Sequence, residues 1–142
     1  MNTTLIDIYL DNIRAYQRIK MLEVLEYVGS LIDNGVLSCI FSLPGYTVDG
    51  IPICNFKIKK DTVIMRFFQK DVFDVFANRI SNVEHGRCSI KFNDTDEIKT
   101  KEIENLIKLT VRTVKVDAAF LRSIRMRDYG YYDNVLLKPR RR

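Results

Sequence analysis

The sequence predicts one α+β domain with N-terminal helices, an antiparallel sheet of about four or five strands, and C-terminal helices. Its 142 residues match the usual size of a single domain. Apolar residues before Asn34 recur every three or four positions, which is the spacing of a helix face. After Gly35 the chain changes to short segments rich in β-branched and aromatic residues, and Asp49-Gly50 is typical of a two-residue hairpin loop.

The N-terminal helical region is predicted by an apolar stripe. Thr4 and Asp7 have the spacing of a helix start, and Asn34-Gly35 supplies residues that tolerate the left-handed conformation found at helix ends. A break near Asp11-Asn12 divides the region into a short first helix and a long second helix. The stripe consists of Leu5, Tyr9, Ile13, Tyr16, Ile19, Leu22, Leu25, Val28 and Ile32.

Four segments after Gly35 are predicted as strands because each is short, apolar and bounded by turn residues. Asp49-Gly50 forms a hairpin turn, and the polar sequence Lys59-Lys60-Asp61 links the next pair of strands. Such short turns favour a meander of sequential antiparallel strands. The predicted strands are Val36–Phe41, Ile51–Ile58, Thr62–Phe68 and Arg87–Phe92.

Helical spacing returns twice after the first strands. Asp71 is positioned to cap a helix whose apolar residues run from Val72 to Ile80. A second amphipathic helix has Thr100 or Asp96 as its candidate N-cap, and its apolar residues run from Ile103 to Val111. We expect these helices to cover one face of the sheet.

The net charge of +5 is concentrated at the C-terminal end of the chain. Residues 112–142 contain nine Lys or Arg against three Asp or Glu, a balance of +6. Residues 1–111 contain fourteen basic and fifteen acidic side chains, a balance of −1. We therefore divide the chain into an α+β domain over residues 1–114 and an appended segment over 115–142, which has helical spacing at 116–128 and then a basic tail.

Composition and motifs argue against several classes of protein. The longest apolar runs are far short of the roughly 18 residues that span a bilayer. Asp7 and Asp11 interrupt the place where a signal peptide would have its apolar stretch, so we expect a cytoplasmic protein without membrane contact. No nucleophile elbow, phosphate loop or dinucleotide fingerprint is present, and we do not expect an enzyme. Cys39, Cys54 and Cys88 lack Cys-x-x-Cys spacing and are expected to be reduced, buried thiols.

The segment Leu43–Ile53 resembles the central signature of the YdhG-like family, in which a Met-Pro-x-aromatic sequence leads through an Asn/Asp-Gly turn into a second strand. Gly86–Phe92 resembles the family's Gly-x-x-Ile-Arg-Phe strand, and the helix over Thr100–Thr113 also fits. The resemblance covers about residues 3 to 113. It implies the family's α+β fold and, from a bacterial branch described as frataxin-like, intracellular iron binding or delivery. Thr62 stands where the family often has a His, so this chain lacks that imidazole.

An iron carrier needs exposed oxygen ligands, because hard cations prefer carboxylates and delivery requires release. Asp7 and Asp11, four positions apart, share one helix face, and Glu23 and Glu26, three apart, share another. These four carboxylates are the candidate metal ligands, and iron is the cofactor that the resemblance implies. The alternative is an ordinary solvated helix face, since Lys20 lies one turn before Glu23.

Two further side chains are candidate ligand-binding residues. Tyr46 lies beside the predicted hairpin turn, where an aromatic ring is placed to form the floor of a pocket. His85, the sole histidine, lies in a loop next to a predicted strand. The alternative for Tyr46 is packing at the end of the sheet, and a single His does not build a His-rich metal site.

The C-terminal segment suggests a second function, a module that binds nucleic acid or another polyanion. Its basic side chains would neutralise phosphates, and Tyr129, Tyr131 and Tyr132 would stack on bases. The alternatives are a solubilising tail, or a helix that docks on the domain or on a second copy of the chain in a homodimer. The candidate polyanion-binding residues are Arg122, Arg125, Arg140, Arg141 and Arg142.

Overall fold

The computed structural model describes residues 3–116, which form an antiparallel sheet of six strands and four α-helices. The helices are α1 (Thr3–Asp11), α2 (Ala15–Gly29), α3 (Lys70–Ala77) and α4 (Lys101–Val116). The strands are β1 (Val36–Ile40), β2 (Leu43–Val48), β3 (Ile51–Lys59), β4 (Thr62–Phe67), β5 (Glu84–His85) and β6 (Ser89–Phe92). A 3₁₀ helix covers Thr95–Ile98. The strand order is β1-β2-β3-β4-β6-β5, and the α+β class predicted from the sequence is confirmed.

The predicted break in the N-terminal helical region separates α1 from α2. Near the start of α2, the buried Gln17 makes two hydrogen bonds: its Oε1 accepts from the Arg14 amide, and its Nε2 donates to the Lys60 carbonyl, both at 2.8 Å. Arg18 Nε donates to the Leu10 carbonyl at 3.0 Å and so joins the end of α1 to α2. These bonds fix both helices against the turn between β3 and β4.

Two-residue loops join the first four strands into a meander. Asp49-Gly50 connects β2 to β3 with φ angles of 54° and 79°, which confirms the predicted hairpin. Phe41-Ser42 connects β1 to β2 with φ angles of 54° and 68°. Lys60 has a φ of 58° in the loop before β4. Positive φ angles at such positions match the right-handed twist of the paired strands.

The register divides the sheet into an apolar and a polar face, because directly paired residues lie on the same side. The apolar face packs against the helices, for example against Met21 of α2 and Leu106 of α4, both of which are fully buried. One cross-strand row on this face contains Tyr46, Cys54 and Phe67, and the next contains Phe56, Met65 and Ile90. All six side chains are buried and form the centre of the core.

The opposite side of the sheet carries polar residues, and we call it the polar face. Its first row crosses five strands and contains Ser38, Gly45, Asn55, Arg66 and Ser89. Its second row contains Lys57, Ile64, Lys91 and Glu84, and Lys59 lies two residues beyond Lys57 on the same side. Ser38, Gly45 and Asn55 are buried, so the exposed charge on this side lies on β3, β4 and β6, at Lys57, Lys59, Arg66 and Lys91.

The described chain has six strands where the sequence predicted four or five. The edge strand β5 was missed because it has only two residues, Glu84 and His85, both exposed and without apolar alternation. β2 was implied only as the first arm of the Asp49-Gly50 hairpin. Its six residues include Pro44 and Gly45, which have low strand propensity, so propensity alone does not identify it.

Two predicted helix boundaries also differ. The N-cap of α3 is Gln69 and not Asp71, which lies in the first helical turn, where a carboxylate favourably meets the positive end of the helix dipole. Ile32 and Ile80 have helical spacing but lie just beyond α2 and α3. Both are buried, so they belong to the core from the turns that follow these helices.

Helix α4 begins at one of its two predicted caps. Thr100 Oγ1 accepts from the Ile103 amide at 3.3 Å, so Thr100 and not Asp96 is its N-cap. Asp96 belongs to the 3₁₀ helix, where its amide donates to Asp94 Oδ1 at 3.1 Å. α4 continues to Val116, past the predicted domain boundary at residue 114, and the helix predicted over 116–128 and the basic tail lie outside the described residues. None of the helices described is both long enough and apolar enough to span a membrane.

Candidate functional site

The centre of the polar face is closely packed around Asn55. Its Nδ2 donates to the Ile40 carbonyl at 3.0 Å, so the side chain reaches from β3 across β2 to β1. Gly45 permits this crossing, because a Cβ at this position would overlap the Cys54 carbonyl oxygen and would lie 2.9 Å from Asn55 Cβ. The amide of Asn55 is therefore buried with its donor satisfied, next to Arg66 on β4.

Arg66 is an exposed cation on this face. Its guanidinium carbon lies 5.8 Å from the centroid of the Phe41 ring and 5.4 Å from that of Phe68, and the two rings are 5.9 Å apart. Its Nε donates to Asn55 Oδ1 at 3.4 Å. Within residues 3–116, no carboxylate oxygen lies within 4.0 Å of this guanidinium. Stacking on the rings holds the planar cation in place without neutralising its charge.

Three lysines extend the positive charge over the polar face. Lys57 and Lys59 are exposed on β3, and Lys91 is partly exposed on β6. The carboxylate in these rows is that of Glu84, whose Oε2 lies 4.0 Å from Lys91 Nζ. The two rows with Lys59 thus carry four cations against one carboxylate, which makes this face of the sheet electropositive.

The second charged surface is a groove of about 410 Å³ between α2 and the 3₁₀ helix. Lys99 lies within it, 3.2 Å from Asp96 Oδ1 and 5.5 Å from the centroid of the Tyr27 ring. Thr95 Oγ1 lies 3.5 Å from Glu23 Oε1. The carboxylates that line the groove are those of Glu23, Glu26, Asp94 and Asp96. A lysine and a threonine therefore already contact two of these carboxylates.

No protein-family model matches the chain, and no curated protein matches it in sequence. Among solved structures, the crystal structure of YdhG, a DUF1801-family protein from Bacillus subtilis, is similar, with a TM-score of 0.61 and 17% sequence identity. The match covers 82% of this chain and 93% of that protein. This chain has the YdhG-like fold. At this identity the similarity concerns the fold, and it confirms the fold that the Leu43–Ile53 signature implied.

The four predicted metal ligands of this YdhG-like domain occupy two places. Glu23 and Glu26 line the groove between α2 and the 3₁₀ helix, whereas Asp7 and Asp11 are exposed on α1 and do not line it. Within residues 3–116, no group of three or more His, Cys, Asp or Glu has a geometry that could hold a metal ion. The described carboxylates therefore do not fit a built iron site.

Tyr46 is buried in the core, and its hydroxyl donates to the Leu25 carbonyl of α2 at 2.6 Å. Burial, together with a smaller contribution from the neighbouring Cys54, raises its pKa to about 12. The hydrogen bond gives this side chain a structural role, because it ties β2 to α2 across the core. A ligand-binding role for Tyr46 stays a prediction.

His85 is exposed on the edge strand β5, and its ring meets Phe73 edge-on, with the centroids 6.3 Å apart. Its role in ligand binding likewise stays a prediction. The five arginines of the predicted polyanion site, Arg122, Arg125, Arg140, Arg141 and Arg142, lie outside the described residues.

The three cysteines are unpaired thiols, as predicted. Cys39 and Cys54 are buried, and Cys88 is half-buried, less than expected. Burial raises the pKa of all three thiols, and for Cys88 the Asp74 carboxylate adds to the effect while nearby cations oppose it. Thiols with raised pKa values are weak nucleophiles at neutral pH, which agrees with a packing role for these side chains.

The interpretation of the sequence missed the polar-face residues, although the pattern of β4 contains the information. Thr62–Phe67 alternates, so that Val63, Met65 and Phe67 lie on one side and Arg66 lies on the other. The alternation predicts that Arg66 is exposed. Its meeting with Phe41, a residue of another hairpin, depends on the strand register, which the sequence pattern does not show.

Proposed function

We propose that this YdhG-like protein is a noncatalytic binding module that holds an anionic polymer against the polar face of its sheet. The observation that carries the proposal is the guanidinium of Arg66, which stacks on two rings, has no carboxylate partner within residues 3–116, and lies among three lysines on one face. A guanidinium forms paired hydrogen bonds with phosphate or sulfate oxygens, and stacking on aromatic rings orients it in advance.

A polymer fits this surface better than a small anion does. Lys57, Lys59 and Arg66 are exposed, so each contact with a single anion is weakened by water and salt. Neighbouring charges on one chain engage such cations together, because binding of the first group raises the local concentration of the next. The basic balance of residues 112–142 adds further cations to the same kind of interaction.

The proposal is tested by the salt dependence of binding to a fluorescent oligonucleotide, measured by anisotropy. The variant Lys57→Gln/Arg66→Gln/Lys91→Gln removes three charges from the polar face. We expect the slope of log affinity against log salt to fall by about 2, since each phosphate contact on a single strand contributes about 0.7.

The matched control is Lys101→Gln/Arg112→Gln/Lys115→Gln, which removes the same charge from exposed positions on α4. Its affinity for the oligonucleotide should stay within about twofold of that of the unmodified protein, because local contacts outweigh the long-range electrostatic field of the protein. Equal losses in the two triple variants would show that net charge alone drives binding, which would contradict a site on the polar face.

Iron binding, implied by the YdhG resemblance, is the second candidate function. The observation behind it is that Glu23, Glu26, Asp94 and Asp96 line one groove, although within residues 3–116 they do not form a group that could hold a metal ion. It is disfavoured by Lys99, which already pairs with Asp96. Anaerobic titration with ferrous iron tests it: weaker binding by Glu23→Gln/Glu26→Gln would support the groove, and affinity equal to that of the unmodified protein would exclude it.

A further inference from the structure

The two edges of the sheet differ in how they are protected from further pairing. β5, at one edge, has only two residues, Glu84 and His85, and both side chains are exposed and polar. β1, at the other edge, has five residues with the sequence Val-Leu-Ser-Cys-Ile, which contains no charged residue and no proline. Short strands, charges and prolines are the usual means of keeping a sheet edge unpaired. β5 is both short and charged, whereas β1 has none of these features.

The strand register shows which backbone groups β1 presents at its outer edge. Cys39 pairs with Pro44, which has no N–H, so these two residues are not a hydrogen-bonded pair. Residues of such pairs direct their N–H and C=O groups away from the neighbouring strand, and the pattern repeats every second residue. Leu37 and Cys39 therefore direct their backbone groups to the outer edge, where no strand pairs with β1 within residues 3–116.

Exposed apolar side chains lie at the same end of the domain. Val36 and Leu37 of β1 are 57% and 37% exposed. Helix α1, which packs against β1 and β2, exposes Leu5 and Ile8, although its Ile6 is buried in the core. Several large apolar side chains exposed at one end of a domain are typical of an interaction surface.

We infer that two copies of this chain join through β1, so that their two six-stranded sheets become one continuous antiparallel sheet. A two-fold axis at Ser38 places Leu37 of each copy opposite Cys39 of the other. These are the residues whose backbone groups are directed outward, so each of the two pairs exchanges two hydrogen bonds. Because β1 carries no charge, no like charges meet between the two strands.

A second copy covers more of this surface than an isolated peptide strand would. The two-fold axis of such a pair is perpendicular to the sheet, so the apolar faces of both sheets lie on the same side. Ile6 and Leu10 of α1 are buried in the core on that side. The two copies of α1 therefore lie on one side of the β1–β1 contact, and each brings Leu5 and Ile8 near it. A peptide strand would supply the hydrogen bonds without a matching helix.

Sedimentation equilibrium of the full chain in reducing buffer tests the inference, and it needs no polymer. We expect a species of twice the 16.6 kDa mass of one chain, which dissociates on dilution. Leu37→Pro removes the outward N–H, a change that an edge strand tolerates because this group faces solvent in the monomer. It should weaken dimerisation by at least about tenfold, since two hydrogen bonds are lost in each dimer.

A matched pair of lysine substitutions provides a second variant and its control. Val36 on β1 and Val75 on α3 are 57% and 54% exposed, so both accept a lysine in the monomer. Val36→Lys should weaken dimerisation by at least about tenfold, because it places an ammonium group at the β1–β1 contact. Val75→Lys should leave the dimer affinity within about twofold. Thermal melts establish that each variant is folded, and the lysine pair decides if Leu37→Pro is not.

Hydrogen exchange measured by NMR shows what covers the edge. The amides of Leu37 and Cys39 should exchange slowly in the dimer and rapidly on dilution, since their hydrogen bonds form only between copies. An unmodified protein that sediments as a monomer at every concentration, or a dimer that keeps its affinity in Leu37→Pro, would overturn the inference. Slow exchange of both amides in a monomer would also overturn it, because another part of the same chain would then cover the edge.

Discussion

The two faces of the sheet use aromatic side chains in opposite ways. On the apolar face, Phe56 is fully buried between paired strands and the helices. On the polar face, Phe41 is half-exposed and holds the guanidinium of Arg66. Burial explains the first arrangement, because removing an aromatic ring from water stabilises a fold. It does not explain the second arrangement, in which the ring contacts a cation on the face of the sheet that we propose as the binding surface.

The largest expected difference between the two faces is in how much a substitution lowers the free energy of unfolding. Phe56→Ala leaves a cavity in the core and should lower the free energy of unfolding by about 3–5 kcal/mol. Arg66→Gln changes an exposed side chain and should lower it by less than about 1 kcal/mol. Urea denaturation of both variants measures the difference. If Arg66→Gln lowered the free energy of unfolding as much as Phe56→Ala, Arg66 would have a structural role on the polar face.

A middle-sized effect is expected at Gly45, where the polar face is most tightly packed. Gly45→Ala places a Cβ against the Cys54 carbonyl and Asn55, so it should cost about 1–3 kcal/mol. Gly86→Ala is the matched control, because its Cβ would approach only Ser89 Oγ, at 3.0 Å. Thermal unfolding compares the two variants, and an equal shift in midpoint would refute the close crossing of Asn55 over β2.

The smallest effects should have opposite signs in the two hairpin loops. Gly50→Ala introduces a Cβ at a φ of 79° and should destabilise the domain by about 1 kcal/mol. Ser42→Gly relieves strain at a φ of 68°, partly offset by the entropy of glycine, and should stabilise it by about 0.5 kcal/mol. Chemical denaturation checks both signs. Destabilisation by Ser42→Gly would show that the first hairpin is not strained.

Local sequence patterns predicted most of the fold. The break between α1 and α2 and the Asp49-Gly50 hairpin depend on neighbouring residues and were correctly predicted, and Thr100 was one of the two predicted candidates for the N-cap of α4. The edge strand Glu84–His85 is too short to leave a periodic pattern. Asp71 was taken for a cap because both caps and first turns favour carboxylates.

The candidate site was harder to predict because its residues meet only through the sheet register. The strands β2 and β3 lie between Phe41 and Arg66 in the sequence, and no spacing rule connects these two residues. The groove between α2 and the 3₁₀ helix was hard to predict for the same reason. Glu23 and Glu26 share a helix face, as predicted, but Asp94 and Asp96 come near them only in the folded chain. Charge counts located basic residues in the C-terminal segment but could not reveal a second basic surface built from separate strands.

The central claim is that the polar face binds the anionic polymer, and amide chemical shifts measured by NMR during titration with oligothymidylate test it most directly. The account predicts that the largest shifts occur at Lys57, Arg66 and Ser89 on β3, β4 and β6, and at Phe41 in the first loop. Residues of the acidic groove, such as Glu23, should shift little. Shifts confined to α2, to α4 or to residues after 116, with the polar face unchanged, would contradict the account.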